Sequence, residues 1–302
     1  MAKPILNAPH FQSEPAAFAY VEARLWPNGP VCPHCGETAR VGRLNGKTTR
    51  PGLHKCYVCK QQFTVRIGTI FEDSHLALHL WLQVIHLFCC SKKGIATRQI
   101  QRMLNCSMKT AWFLGHRIRL AMDPGTDTPI GGEGKTVEAD ETAISNSRKT
   151  KRPPGRKKPH TNVLSLVERG GPIRSMVIDH RGIGPRVQRH LDKRSRLVTD
   201  AAHFYKYTGA ASHESVDHSK YEWARGDVHT NTLEGFFSVF KRGLIGVYQH
   251  VDAKHFDRYL AEFDFRMNHR IKLGIDDQRR TDIALQGVKG KRLTYETTQK
   301  GL

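Results

Sequence analysis

Two sets of side chains in this sequence are spaced to do chemistry. The first is acidic. Asp140 lies inside "TVEADETAI", Asp200 closes "SRLVTD", and Glu234 sits in "HTNTLEGFFSVFKRG" one helical turn after Asn231. Oxygen donors brought together in this way hold hard cations such as magnesium. Phosphodiester cleavage calls for two such ions, one activating the attacking hydroxyl and the other stabilising the leaving oxygen. Glu138 shares a strand face with Asp140 and is a possible accessory, whereas Glu141 points to the opposite face. Asp179 also ends an apolar strand, but away from this site. The competing reading is a scatter of surface acids.

The second set is four cysteines. "CPHC" (Cys32, Cys35) and "CYVC" (Cys56, Cys59) form two C-x2-C knuckles separated by 20 residues, the layout that presents four thiolates to one tetrahedral zinc ion. A closed four-thiolate site is structural, so it marks a docking module and not a centre of catalysis. His34 and His54 could replace a thiolate, but neither is needed. Cys89, Cys90 and Cys106 lie in apolar, helix-like surroundings and read as small buried hydrophobes. The total of seven is odd, which argues against a disulfide framework and for a reducing compartment.

For the acids to meet, the intervening chain has to form a sheet. "TVEADETAI" reads as a first strand, "NVLSLVE" as a second and "IRSMVID" as a third, with Gly170, Gly171 and Pro172 turning the last hairpin. The basic loop "RKTKRPPGRKKPH" joins the first two. "GPRVQRHL" is a crossover helix and "SRLVTD" a fourth strand. This is the opening topology of a ribonuclease H-like α/β fold, in which an acid within strand one and an acid ending strand four lie side by side. The third ligand comes from a later helix. In 229–243 the apolar stripe Leu233, Phe236, Phe237, Phe240 and Leu244 faces the sheet, opposite Asn231, Glu234, Ser238 and Lys241.

Upstream, the knuckles and the strand-like "QQFTVRIGTIF" make a small antiparallel ribbon. The pattern then turns helical from Leu76. "IATRQIQRML" and "SMKTAWFLGHRIRLAM", joined at Asn105 and Cys106, have helix-turn-helix length; in that reading Lys109, Thr110, His116, Arg117 and Arg119 face DNA. An ordinary helical hairpin fits equally well. The expected division is 1–74 zinc ribbon region, 75–123 helical DNA-binding segment, 124–135 linker, 136–272 catalytic domain and 273–302 basic tail.

The formal net charge of +20 over 302 residues favours a polyanionic partner. Nucleic acid is preferred to a membrane surface, because the sequence has no basic amphipathic anchor, no long apolar run and no hydrophobic signal core. A cytoplasmic, nucleoid-associated location is expected. Arg152, Arg156, Lys157 and Lys158 in the basic loop would add sequence-independent phosphate contacts.

Taken together, "VEADET" with the basic loop after it, "LVTDAAHFY", "VDHSKYEW", "HTNTLEGFFSVFKRGLIGVYQHV" and "KHFDRYLAEFDFRMNHR" resemble the ISXO2-like transposase domain of bacterial insertion sequences, from about Lys135 to Arg270. The family's pattern is two Asp, a third Asn or Glu, and a Lys. Carried over, it falls on Asp140, Asp200, Asn231 or Glu234, and Lys241. Glu234 is preferred because a carboxylate holds a hard cation better than an amide. This sequence departs from common relatives in having "TAISNS" after the first acid and Phe237 where a Trp is frequent. The resemblance implies a magnesium- or manganese-dependent DNA transposase that binds terminal inverted repeats of double-stranded DNA, cleaves and transfers strands, and works as a homo-oligomer. Two alternatives stand beside it: a non-catalytic DNA-binding descendant, and another ribonuclease H-like nuclease.

Overall fold

The computed structural model describes residues 4–125, 127–145, 160–178 and 182–294. Two short helices, α1 (Pro9–Gln12) and α2 (Glu14–Leu25), precede the ribbon strands β1 (Val41–Arg43), β2 (His54–Cys56) and β3 (Gln62–Phe63). The strand expected over "QQFTVRIGTIF" joins the ribbon through Gln62 and Phe63, and Thr69 makes a separate bridge to Lys289. Beyond Phe63 the chain turns away and buries Val65, Ile70 and Phe71 among helices. Three helices follow, α3 (Leu78–Cys90), α4 (Thr97–Leu104) and α5 (Met108–Met122). Asn105, left-handed at φ 47°, turns α4 into α5, and Ser107 caps α5 by accepting from the Thr110 N–H.

The catalytic half expected from the sequence is a five-stranded mixed sheet. Its strands are β4 (Thr136–Ser145), β5 (His160–Glu168), β6 (Ile173–Ile178), β7 (Arg196–Asp200) and β8 (Ser212–Val216), in the order β6-β5-β4-β7-β8. β4, β5 and β6 form an antiparallel meander; β7 runs parallel to β4, and β8 parallel to β7. Helix α6 (Ile183–His190) covers one face, where Val137, Ala139, Leu164, Leu166 and Leu197 pack with Ile183 and Val187. Helices α7 (Asn231–Gly243) and α8 (Phe256–Asn268) cover the other, where Val163, Val167 and Ile173 meet Leu233, Phe236, Phe240 and Phe263. With both faces covered, β5 is buried along nearly its whole length. The sequence reading has no counterpart for β8, because "SHESV" lacks an apolar alternation and most of this edge strand is not buried.

The opposite edge is sealed by α8. The Ile173 N–H donates to Asn268 Oδ1 and the Ser175 N–H to Asp264 Oδ2, each at 2.6 Å, and the Val177 N–H bonds Asp257. Side chains at 257, 264 and 268 lie along one helix face, so they reach the outward amides of β6 in turn and close an edge that would otherwise pair with another strand.

The segment after Leu273, expected as a basic tail, instead forms α9 (Asp277–Gln286) and returns to the N-terminal helices. Thr281, Ala284, Leu285 and Val288 are buried at helical spacing. Thr281 hydrogen-bonds His86 of α3, and Asp282 accepts from the Tyr20 hydroxyl and Arg24 of α2. Four apolar or small positions among many charges were too few to register as a helix face in the sequence.

Candidate active site

β4 and β7 pair in parallel with Thr136 opposite Arg196, Val137 opposite Leu197 and Glu138 opposite Val198. Continuing this register by two residues brings Asp140 level with Asp200. Alternation puts both on the α7 face, the face Glu138 and Val198 also use. Helix α7 docks there through Leu233, Phe236, Phe237 and Phe240, all buried, and leaves Asn231, Glu234, Ser238 and Lys241 exposed. Glu234 falls in its first turn and Lys241 in its last.

The Asp140 carboxyl is half-buried and accepts the Glu141 N–H at 2.8 Å. Burial, and then the like charges of Glu141, Asp200 and Glu234, push it up to about 7. The charges that raise it, those of Glu141, Asp200 and Glu234, belong to acids on its own strand, on β7 and on α7. Asp200 accepts the Ala202 N–H at 3.2 Å. Carboxylate oxygens are the donors that hard cations take, and a cation beside Asp140 would favour its charged form.

Two acids beside Asp140 are engaged elsewhere. Glu141 points to the α6 face as expected, where the buried Tyr205 hydroxyl donates to it at 2.5 Å. Glu138, read as a possible accessory ligand, is fully buried and spends its oxygens on the first turn of α7 and on Arg169. The sequence offered no sign of this second use, since Arg169 lies in a turn and its partners are backbone amides.

In the ribbon, Cys32 and Cys59 Sγ lie 3.7 Å apart, as do Cys35 and Cys56, and all four sulfurs fall within 4.8 Å of one another. A tetrahedron of Zn–S bonds near 2.3 Å requires sulfur separations of about 3.8 Å, so the cluster fits a structural zinc ion. His54 is not part of it. Its ring stacks on Phe63 and meets Trp26 edge-on, with Nδ1 against the Gly52 carbonyl.

The DNA-facing residues of α5 need correction. Lys109 and Thr110 are exposed, but Arg117 and Arg119 are 6 % and 2 % exposed, and His116 is fully buried. Arg117 donates to the carbonyls of Ile70 and Glu72, and Arg119 pairs with Glu262 at 2.7 Å. Packing of α5 against α8 draws His116 and Arg119 inward, while the carbonyls of Ile70, Glu72 and Leu293 take up Arg117. Only the first turn of α5 is open to a partner. Arg152, Arg156, Lys157 and Lys158 lie outside the described residues, as does Asp179. Among the described residues no helix is long and apolar enough to cross a membrane.

A four-cysteine ribbon joined to an acid-bearing mixed sheet defines a class of two-part protein, and comparison with known families gives it a place. Residues 129–268 match the ISXO2-like transposase domain and residues 12–62 the transposase zinc-ribbon domain. The chain is also 25 % identical over 275 residues to an uncharacterized protein in transposable element ISH50 of Halobacterium salinarum, an alignment covering 85 % of this chain and 91 % of that protein. Both family matches, one for each part of the chain, thus point to transposases: an ISXO2-like transposase domain behind a transposase zinc ribbon.

Proposed function

We propose that this chain is the transposase of an insertion sequence, which binds the terminal inverted repeats of its element and carries out divalent-cation-dependent strand cleavage and strand transfer. One observation carries the reading: β4 and β7 pair in parallel up to Glu138 opposite Val198, a register that leads on to Asp140 and Asp200, and burial together with the charges of Glu141, Asp200 and Glu234 lifts Asp140 to about 7. The sheet order, with its antiparallel meander and two parallel additions, supports a ribonuclease H-like catalytic domain.

Asp140, Asp200 and Glu234 are the residues that would hold magnesium or manganese, with Asn231 as an alternative third ligand or an orienting neighbour of Glu234. Bound there, the ions would activate a water or 3′-hydroxyl and stabilise the leaving oxygen. The protein's own part is positional. β4 and β7 hold two carboxylates at one level, and α7 presents the third across from them on an apolar base. Lys241, two turns after Glu234 on the exposed face of α7, grips a DNA phosphate as a point charge. The first turn of α5, the ribbon and the basic loop supply backbone affinity, and synapsis of two element ends requires an oligomer.

The test is cleavage of DNA carrying the element's ends with magnesium, comparing wild type with Asp140→Ala, Asp200→Ala, Asn231→Ala and Glu234→Ala. Both Asp variants and Glu234→Ala are expected to lose cutting while still binding the ends. Undiminished cutting by the Asp variants would overturn the mechanism, and a dead Asn231→Ala beside an active Glu234→Ala would move the third ligand to Asn231. Binding to the ends with no cutting by wild type would leave only a DNA-binding descendant.

A further inference from the structure

Glu138 is a fully buried carboxylate two residues before Asp140. Its Oε2 accepts the N–H groups of Thr232 at 3.0 Å and Leu233 at 3.2 Å. Its Oε1 accepts the Thr232 hydroxyl at 2.9 Å and Arg169 Nε at 2.7 Å, with His229 Nδ1 at 3.7 Å. Those backbone donors are the ones a helix normally caps from its own N-terminal residue. Here Thr230, at the N-cap of α7, makes no capping bond. A strand residue has taken over the cap, and its negative charge also suits the positive end of the helix.

Arg169 completes the fastening. Its guanidinium donates to the carbonyls of Asp227 and His229, each at 2.7 Å, while its own N–H bonds the Thr136 carbonyl of β4. The approach to α7, its first turn and the start of β4 are thereby tied at one point.

We propose that Glu138 and Arg169 form a positioning pair that sets the distance between Asp140 and Glu234, and that Glu138 is not itself a cation ligand. The inference rests on the reading of those acids as the cation site. The physical need is specific. Asp140 stands on β4 and Glu234 on α7, so the spacing between them is set by how the first turn of α7 docks on the sheet. Glu138 lies two residues from Asp140, and Leu233 is the neighbour of Glu234, so the clamp fixes that docking close to both acids. A site held at its working spacing before the cation arrives is preorganised.

The experiment uses the full zinc-loaded chain and manganese as the probe. Glu138→Gln keeps the shape but loses the charge and turns an amide donor toward Arg169 and the helix N–H groups. Arg169→Lys keeps the charge and loses the fork. Manganese binding is read by calorimetry or electron paramagnetic resonance, and amide hydrogen exchange at Thr232 and Leu233 is read without cation. Both variants are expected to bind the same number of manganese ions as wild type with affinity lowered about tenfold, and to exchange those amides about tenfold faster, the loss that follows from removing a charge-assisted bond. The double variant is expected to be no worse than the weaker single one, because the pair acts as a unit. Unchanged manganese affinity in both variants overturns the inference. So does loss of a whole bound ion in Glu138→Gln, which would make Glu138 a ligand. Asp140→Ala separates this outcome from failure of the underlying reading: wild-type binding insensitive to Asp140→Ala removes the carboxylate site, and this inference with it, whereas binding sensitive to Asp140→Ala but not to the pair removes the inference alone.

Discussion

The Tyr248 hydroxyl donates to Glu262 at 2.5 Å while Arg119 donates to the other oxygen of the same carboxylate at 2.7 Å. Tyr248 ends a single π-turn, Leu244–Tyr248, that continues α7, and its ring lies where a side chain at Gly94 would overlap the hydroxyl. The guanidinium of Arg119 also sits 4.0 Å from the Tyr259 ring centroid and 5.0 Å from that of Tyr248. Thus the far end of α7 is locked into the helical layer, just as its near end is locked to the sheet.

Glu262 also pairs with Arg266, so losing Arg119 takes one of two counter-charges from a fully buried carboxylate. Arg119→Met is expected to cost about 1.5–3 kcal/mol of unfolding free energy, the range of a hydrogen bond to a charged group. Tyr248→Phe, which keeps the ring and removes one bond to a charged acceptor, should cost about 1.5–3 kcal/mol. Urea unfolding monitored by circular dichroism measures both. A loss of under about 0.5 kcal/mol for Arg119→Met, the range of an ordinary surface change, would refute the buried pair.

A pH signature belongs to Asp264. Burial pushes its carboxyl up to about 7 even though the Ser175 N–H and hydroxyl both donate to it. The folded pKa is above the unfolded one, so the fold prefers the protonated acid. That contribution is fully present below about pH 4 and is lost as pH rises from about 4 to about 7. Asp140 has the same sign in the cation-free protein, so the comparison is between wild type and Asp264→Asn. The variant should show a shallower decline in stability over that interval, and equal slopes would contradict the burial of a protonated acid.

Zinc removal is expected to act locally. Chelation, or Cys56→Ser, should release one zinc ion per chain and abolish amide protection in β1 to β3, because a closed thiolate site supplies folding free energy to a ribbon whose buried apolar residues are few. Protection in β4 to β7 should persist, since that sheet has its own cores on both faces. Hydrogen exchange with mass spectrometry resolves the two regions, and collapse of both together would disprove their independence.

Salt dependence should sort the basic residues of α5. Lys109→Ala is expected to reduce the slope of log binding constant against log salt by about one, as for the loss of one phosphate contact. Arg117→Gln should leave that slope alone and lower stability instead, because it removes donors from the Ile70 and Glu72 carbonyls. Fluorescence anisotropy across a salt series separates them, and a slope change in Arg117→Gln would return this residue to the DNA surface.

Much of the site was legible in the residues because it depends on local periodicity. Strand-like runs bounded by turn residues marked β4, β5 and β6; a 3.6-residue repeat put Leu233, Phe236, Phe237 and Phe240 against the sheet; two C-x2-C pairs fell on one sulfur cluster. The proposed site of Asp140, Asp200 and Glu234 needed the strand order as well, which the sequence reading had to assume. β8 and α9 escaped because their apolar positions are few and their neighbours polar, so burial of one side leaves little trace in the pattern.

Tertiary structure alone decided the partners of the long polar side chains. Arg119 and Glu262 are 143 residues apart, and Glu138 and Thr232 are 94 apart. An arginine or glutamate reads the same in sequence whether it faces water, DNA or a buried counter-charge, because its type reports the charge and its reach reports nothing about direction. Which of those ends applies is set by the helix or strand that packs over it. That is why the sequence by itself determined where the acids and thiols of this protein lie, while only the packing of α5, α7 and α8 decided that Arg117, Arg119 and Glu138 belong to the interior.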